Sequence, residues 1–275
     1  MIDLHTHTVF SDGTFTPEEL VALARDRGVT TLAVTDHDST EGLDRAFSAA
    51  DGTGVDIVPG VEFSTVREAH GIHVLAYWPD LQDRAFQAEL ERLREDRFRR
   101  GERMVTTLRE LGYPVTFERV REIAKGKNIV RPHVAQALVE AGVVPTIEEA
   151  FTPELIGEGG RAYSEKHALD PVDALRLIKG AGGVVVVAHP GLFREKLGAP
   201  DDVIEELAGA GLDGIEAAHP DHSPEAEARY RKLARRLDLV ATGSSDCHGT
   251  RYDPVRLGSV TTEPHEFDRL KSKKG

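Results

Sequence analysis

Cysteine is almost absent from this 275-residue chain: Cys247 stands alone. That excludes an internal disulfide and fits a reducing compartment, so a cytoplasmic protein is expected. No stretch approaches the roughly 20 consecutive apolar residues of a membrane span. The opening MIDLHTHT has neither the basic n-region nor the apolar h-region of a secretory signal. Basic residues are outnumbered, 34 Lys and Arg against 47 Asp and Glu, for a formal net charge of −13. This balance argues against coating long duplex nucleic acid, which calls for a basic face. A small anionic substrate remains open, because bound cations or a local basic patch can still receive phosphate. There is no fixed-period repeat and no low-complexity tract. What the chain does have is 40% hydrophobic residues, enough for one large α/β domain or a main domain with an insertion, and 12 histidines.

Short apolar or β-branched runs predict strands at residues 2–4, 31–35, 55–58, 72–77, 184–188, 214–217 and 239–242. Thr16 followed by Pro17 and Glu19 marks a helix start, and Gly28 its end. Asp170-Pro171 and Ser223-Pro224 open two more helices. Strands alternating with helices predict a largely parallel sheet with right-handed crossovers. The alternation breaks between 81 and 164, where a charged helix over 82–111 and shorter pieces near 117–125 and 131–141 predict a helical insertion. Residues 1–80 and 165–275 then form the β/α domain.

Potential ligands fall at the ends of these strands. His5 and His7 follow the first, Asp36 and His37 the second, and Glu62 the third. His73 lies in the fourth, His189 ends the fifth, and Asp246 and His248 follow the seventh. In a parallel β/α barrel the carboxyl ends converge on one face, so residues far apart in sequence become neighbours. The period-2 pairs His5/His7 and Asp246/His248 point to one side of an extended backbone, leaving Thr6 and Cys247 on the other, where Cys247 packs. A lone buried histidine is ordinarily a hydrogen-bonded structural residue; the joint pattern is what predicts a metal site. Mixed imidazole and carboxylate donors suit Mn, Zn or Fe(II) and argue against a thiolate structural zinc.

In order, the chain carries His5-Thr-His7-Thr-x-x-Ser-Asp12-Gly, Thr35-Asp-His37-Asp-Ser, Pro59-Gly-Val-Glu62, Gly71-Ile-His73, Ala188-His189-Pro and Ser245-Asp246-Cys-His248-Gly. This resembles the PHP (polymerase and histidinol phosphatase) family, in particular its small stand-alone phosphoesterases. The resemblance implies an α/β fold, a distorted seven-stranded (β/α)7 barrel of PHP type with a small helical insertion. It also implies a cluster of two or three divalent ions, with Mn first and Zn, Fe(II) or Mg as alternatives. His5, His7, Glu62 and Asp246 would hold one ion, and Asp12, His37 and His248 a second. Glu62 would bridge to a third ion held by His73 and His189. Many family members have histidine where this chain has Asp12, which also counts among the expected substrate contacts; the oxygen favours Mn or Mg. Such ions acidify water into a nucleophile near neutral pH and neutralise phosphate oxygens under in-line attack. Asp36 and Asp38 are expected to orient His37 or its neighbours.

Arg97-Phe-Arg-Arg100 sets two arginines on one helix face, with Arg103 near it. A solvated face of Glu/Arg pairs reads equally well. The resemblance implies that Arg97 and Arg100 hold a second phosphate of the substrate. Arg131-Pro-His133 opens a helix and forms an anion cradle, or a plain helix start with a surface arginine. His219 and His222 could supply a proton to the leaving group or be loop residues, and Glu216 is open in the same way. His70, His167 and His265 have no context that lifts them above ordinary histidines.

The expected activity is hydrolysis of a phosphate monoester of a small nucleotide, specifically the 3′-phosphate of a nucleoside 3′,5′-bisphosphate. Exonuclease action on short RNA or DNA and histidinol-phosphate phosphatase activity are the enzymatic alternatives. A non-catalytic PHP module of a polymerase assembly would predict an eroded ligand set, whereas here the set is complete.

Overall fold

The chain begins with β1 (Ile2–Asp3), and after two strand–helix steps and a third strand the sheet reverses direction. After β1 come α1 (Pro17–Asp26), β2 (Thr31–Val34), α2 (Leu43–Ala50), β3 (Asp56–Arg67) and β4 (His70–Tyr77). The helices α3 (Arg84–Glu110), α4 (Phe117–Ala124) and α5 (Arg131–Glu140) follow without an intervening strand. The alternation resumes with α6 (Pro171–Gly180), β5 (Val184–Val187), α7 (Asp201–Gly209), β6 (Gly214–Ala218), α8 (Pro224–Arg236), β7 (Val240–Gly243) and α9 (Pro264–Lys271). The computed structural model describes residues 1–68, 70–124, 129–165, 168–192 and 198–275; His167 lies outside them.

The seven strands form one sheet in the order β1 to β7, an α/β fold of nearly closed, barrel-like form. Closure between its first and last strands comes just beyond them, where Thr6 bridges Cys247. The His7 N–H donates to Cys247 O at 2.9 Å. Cys247 is buried in the apolar cluster of α1, α2 and β2, a packing residue as its spacing predicted.

The largely parallel sheet needs one correction. β4 pairs antiparallel with both β3 and β5, and the remaining pairs are parallel. β3 is also longer than the run 55–58, so Glu62 lies inside a strand rather than after one. Pro59-Gly60 looks like a strand end, but it is where β3 changes partners. Val34 pairs with Pro59, and the next residue, Gly60, pairs with Tyr77 of β4. A Cβ at Gly60 would come 2.7 Å from Thr35 Cγ2 and 3.1 Å from Ala76 O, so only glycine lets the strands approach there.

Local signals explain the helices that were foreseen. Thr16 and Glu19 form a reciprocal capping box on α1, Asp170 caps α6 through Val172 N, and Ser223 caps α8 through Ala226 N. Four consecutive valines, 184 to 187, are buried on both faces, as a central strand requires. The helices α3 to α5 pack around Met104, Leu108, Val120, Val134 and Leu138, a hydrophobic cluster separate from those beneath the barrel strands. Among the described residues no helix is long and apolar enough to cross a membrane.

Candidate metal centre

Reversal of β4 delivers His73 to the cluster. It lies early in an antiparallel strand, hence at the end of the sheet where the parallel strands finish, and pairs with Ser64 of β3. Glu62 sits at the centre, 1% exposed. Its Oε2 is 3.2 Å from His5 Nε2, 3.1 Å from His7 Nε2 and 3.0 Å from His37 Nδ1. Its Oε1 is 2.8 Å from His73 Nδ1 and 3.0 Å from His189 Nε2. Asp246 Oδ1 approaches His5 and His7 at 3.4 and 3.2 Å, and Asp12 Oδ1 lies 3.3 Å from His248 Nε2. Four overlapping sets have donors close enough to share an ion: His7/Asp12/His37/His248, His5/His7/Asp246, His5/Glu62/His189 and His37/Glu62/His73. Every residue that the sequence offered as a ligand is thus in one connected cluster. His73 and His189 meet on the same Glu62 oxygen, Oε1, while His73 also groups with His37 and His189 with His5.

The atoms suit cations better than hydrogen bonds. His5 Nε2, His7 Nε2, Asp12 Oδ1, Glu62 Oε2 and Asp246 Oδ1 are buried with no hydrogen-bond partner, although they lie beside one another. Such isolation costs about 1–3 kcal/mol per group, and divalent ions among these nitrogens and oxygens remove the cost. His189 and Asp246 hold positive φ values of 27° and 47°, strain concentrated where a side chain must be aimed.

Charge tells the same story. Burial disfavours the charged form of His5, yet Glu62, Glu216 and Asp246 hold its pKa well above the usual imidazole range. His7 is likewise opposed by burial but lifted to about 10 by Asp246 and Glu62. Burial opposes ionisation of Glu62 and Asp246, but the surrounding histidines keep both pKa values well below the carboxylate range. The cage requires positive charge, which protons or metal ions can provide.

The surrounding residues are partly as expected. Asp36 accepts from Thr8 N at 2.7 Å, Thr8 Oγ1 at 2.6 Å and Ser11 Oγ at 2.6 Å, and Ser11 Oγ lies 3.2 Å from His7 Nδ1. Asp36 therefore sets the loop that positions His7. Asp38 accepts from Ser64 N at 3.1 Å and from Arg97 Nε at 2.7 Å. Arg97, expected on phosphate, also donates to Ser64 Oγ at 2.7 Å.

Asp221 N donates to His219 Nδ1, leaving the proton on Nε2, 3.3 Å from Asp246 Oδ2. His222 has both ring nitrogens in loop bonds, to Ala217 O at 2.9 Å and from Gly191 N at 3.1 Å. It is thereby a loop residue. His70 and His265 lie away from the cluster, beside Glu68 O and Glu266.

Reading the sequence left Glu216 undecided. It is fully buried, 3.1 Å from His5 Nδ1, and accepts from His189 N at 2.7 Å. The available signal was a lone carboxylate inside the apolar strand Gly-Ile-Glu-Ala-Ala, since unpaired acids are rarely placed there.

Beside the cluster, Arg100 is 7% exposed and donates Nε to Ser164 O at 2.6 Å. Burial, then Arg131 and Arg97, lower its pKa to about 10. The guanidinium groups of Arg100 and Arg131 lie 5.3 and 6.0 Å from the same Tyr163 ring, and Arg131 also lies 5.3 Å from that of Phe151. Among the described residues neither arginine has a carboxylate ion-pair partner. Arg103 bonds Ser164 Oγ at 2.9 Å and is half exposed.

Val130 N donates to His133 Nδ1 at 3.3 Å, which leaves Nε2–H as a donor, and burial lowers the His133 pKa to about 4. A neutral folded histidine contributes stability present above its unfolded pKa of about 6.5 and lost as pH falls toward 4. Between pH 7.5 and 5 this group should cost the wild type about 2 kcal/mol of unfolding free energy. Asn at this position keeps the acceptor but does not titrate, so urea titrations of His133→Asn should lack that part of the acid loss. An unchanged pH dependence would refute the assignment.

Comparison with known proteins agrees with this geometry. The PHP domain model matches residues 3–138. The chain is 34% identical to a phosphoribosyl 1,2-cyclic phosphate 1,2-diphosphodiesterase of Eggerthella lenta, covering 90% of this chain and 94% of that protein. It is also 34% identical to a 3′,5′-nucleoside bisphosphate phosphatase of Chromobacterium violaceum, covering 90% and 87%. A crystal structure from Bifidobacterium adolescentis, for which a metal-dependent phosphoesterase role has been proposed, superposes with a TM-score of 0.92 at 35% identity, covering 99% and 96%. A barrel whose strand ends converge in a histidine–carboxylate cluster, with relatives of this extent, places the chain in the PHP family of metal-dependent phosphoesterases, hydrolases of phosphoester bonds.

Proposed function

We propose that this chain removes the 3′-phosphate of nucleoside 3′,5′-bisphosphates, with residues 81–164 acting as a substrate-binding cap. The observation that carries the reading is a second place for an anion: Arg100 and Arg131, sharing the Tyr163 ring, with Arg100 buried and its charge opposed by its neighbours. A phosphate between the two would relieve that repulsion and accept charge-assisted bonds from both. A cavity of about 450 Å³ has in its wall His133, from the same helix as Arg131. It is lined by Val9, Ile123 and Ile147, by Gln136, and by His133 and Arg251. Arg251 Nε donates to Asp12 O at 2.5 Å, so the cavity reaches the edge of the candidate metal cluster. Walls that set Val9, Ile123 and Ile147 beside Gln136 and the hydroxyls of Thr14 and Thr250 suit a nucleoside.

The ions, held by His5, His7, Asp12, His37, Glu62, His73, His189, Asp246 and His248, would supply the nucleophile and neutralise the scissile phosphate. Mn suits the mixed donors. The chain's own part is positioning. Arg100 and Arg131 fix the distal phosphate, and His133 Nε2–H donates beside it. The buried walls around the cluster keep bulk water from the reacting ester.

A phosphate-release panel with added Mn tests the reading, comparing nucleoside 3′,5′-bisphosphates, short RNA, histidinol phosphate and a phosphoribosyl 1,2-cyclic phosphate. The bisphosphate should lead by at least about tenfold in kcat/KM, the size of one lost charged contact. Faster turnover of the cyclic ester or of RNA would overturn it. Arg100→Met should raise KM for the bisphosphate about 10- to 100-fold and leave p-nitrophenyl phosphate, which has no distal phosphate, nearly unchanged. Equal losses on both would remove the second anion site from the argument.

A further inference from the structure

Of the strands in the barrel, β6 supplies none of the candidate ligands, yet it carries Glu216 into the same end of the sheet. The β6–β7 register skips Ala217: Glu216 pairs with Thr242, but Ala218 pairs with Gly243. A bulge of this kind re-aims the side chains beside it. The Glu216 carboxylate is fully buried and engages two residues that the cluster depends on. One oxygen lies 3.1 Å from His5 Nδ1, and the other accepts the His189 N–H at 2.7 Å. With its Nδ1 proton given to a carboxylate, the His5 ring turns Nε2 toward Glu62 and Asp246, at 3.2 and 3.4 Å. The His189 backbone that receives the second bond is the one with φ of 27°.

We propose that Glu216 is a positioning residue for the ion cluster, fixing the His5 tautomer and clamping the His189 backbone so that both imidazoles meet the metal ready-aimed. One carboxylate thus serves ligands from two strands, β1 and β5, and adds a negative charge behind His5 that strengthens its donation. The inference concerns ion binding and stands whichever ester is cleaved.

Glu216→Gln keeps the volume but can accept only one of the two N–H groups, because its amide NH2 opposes the other. Titration of the metal-free variant with Mn by calorimetry should show affinity lowered about 10- to 100-fold. The Mn concentration for half-maximal activity should rise in step, with a smaller loss in kcat at saturation. A residue that only filled space would leave Mn affinity alone. The wild type supplies an independent readout should the variant fold poorly: in zinc-loaded protein, ¹H–¹⁵N correlation of the His5 ring should show the proton on Nδ1. A proton on Nε2, or a folded Glu216→Gln protein with unchanged Mn affinity, would overturn the proposal.

Discussion

Glu62→Gln should lower phosphate release at saturating Mn by on the order of 10³-fold, about 4 kcal/mol of transition-state stabilisation. The size follows from geometry. Both Glu62 oxygens are shared among His5, His7, His37, His73 and His189 at 2.8 to 3.2 Å, so this side chain touches more of the cluster than any other carboxylate there. Glutamine matches it in shape, which preserves packing of the buried site. It also replaces one acceptor oxygen by an NH2 group and removes the charge that draws cations together. Mn stoichiometry, measured on the same sample, should fall along with turnover. A variant that retains more than a tenth of wild-type activity would remove Glu62 from the centre of the mechanism.

Removal of the ions should be nearly as severe, and it should show in stability as well as in rate. A chelator should abolish turnover, and Mn should restore it. Without cations the cage keeps buried Glu62, Asp246 and Asp12 ionised only by charging histidines against the cost of burial. Ions at about 1,000 times their Kd contribute roughly 4 kcal/mol to the folded state. For a chain of this size that raises Tm by on the order of 10 °C. Binding should also release protons, because His5 and His7 must deprotonate to ligate; the calorimetric heat at pH 7 should then vary with the ionisation enthalpy of the buffer. Equal melting temperatures with chelator and with excess Mn would show that the cluster holds no ion.

Much of the fold was legible because local chemistry and tertiary context agree in it. Thr16, Asp170 and Ser223 each offer a side-chain oxygen at a helix start, and each caps the helix it announces. The helices α2, α7 and α9 begin without a side-chain cap bond, and the sequence had not singled them out. The full length of β3, beyond the run 55–58, was hidden for a comparable reason at Pro59-Gly60. Proline and glycine ordinarily punctuate strands, and nothing local says that this pair lies where β3 exchanges β2 for β4. In the site, residues bearing donors at strand ends could be read in advance, because strand direction alone brings them together. The partners of those donors were harder to see. That Asp36 acts on His7 through Ser11, that Asp38 engages Arg97, and that Glu216 backs His5 are facts of side-chain direction across elements far apart in sequence.

The join between Thr6 and Cys247 has a mechanical meaning. β1 has two residues, and the ends of the sheet are joined by this bridge with its hydrogen bonds and by a few neighbouring ones, such as Ser245 N to Asp3 Oδ1 and Thr262 N to Ile2 O. His5 and His7 flank the bridge on one side, Asp246 and His248 on the other. Ions held by His5, His7 and Asp246, or by His7 and His248, would therefore draw their ligands from both sides of the seam. In such a barrel a bound metal would also be a rivet, adding coordination to the hydrogen bonds that keep the edge shut.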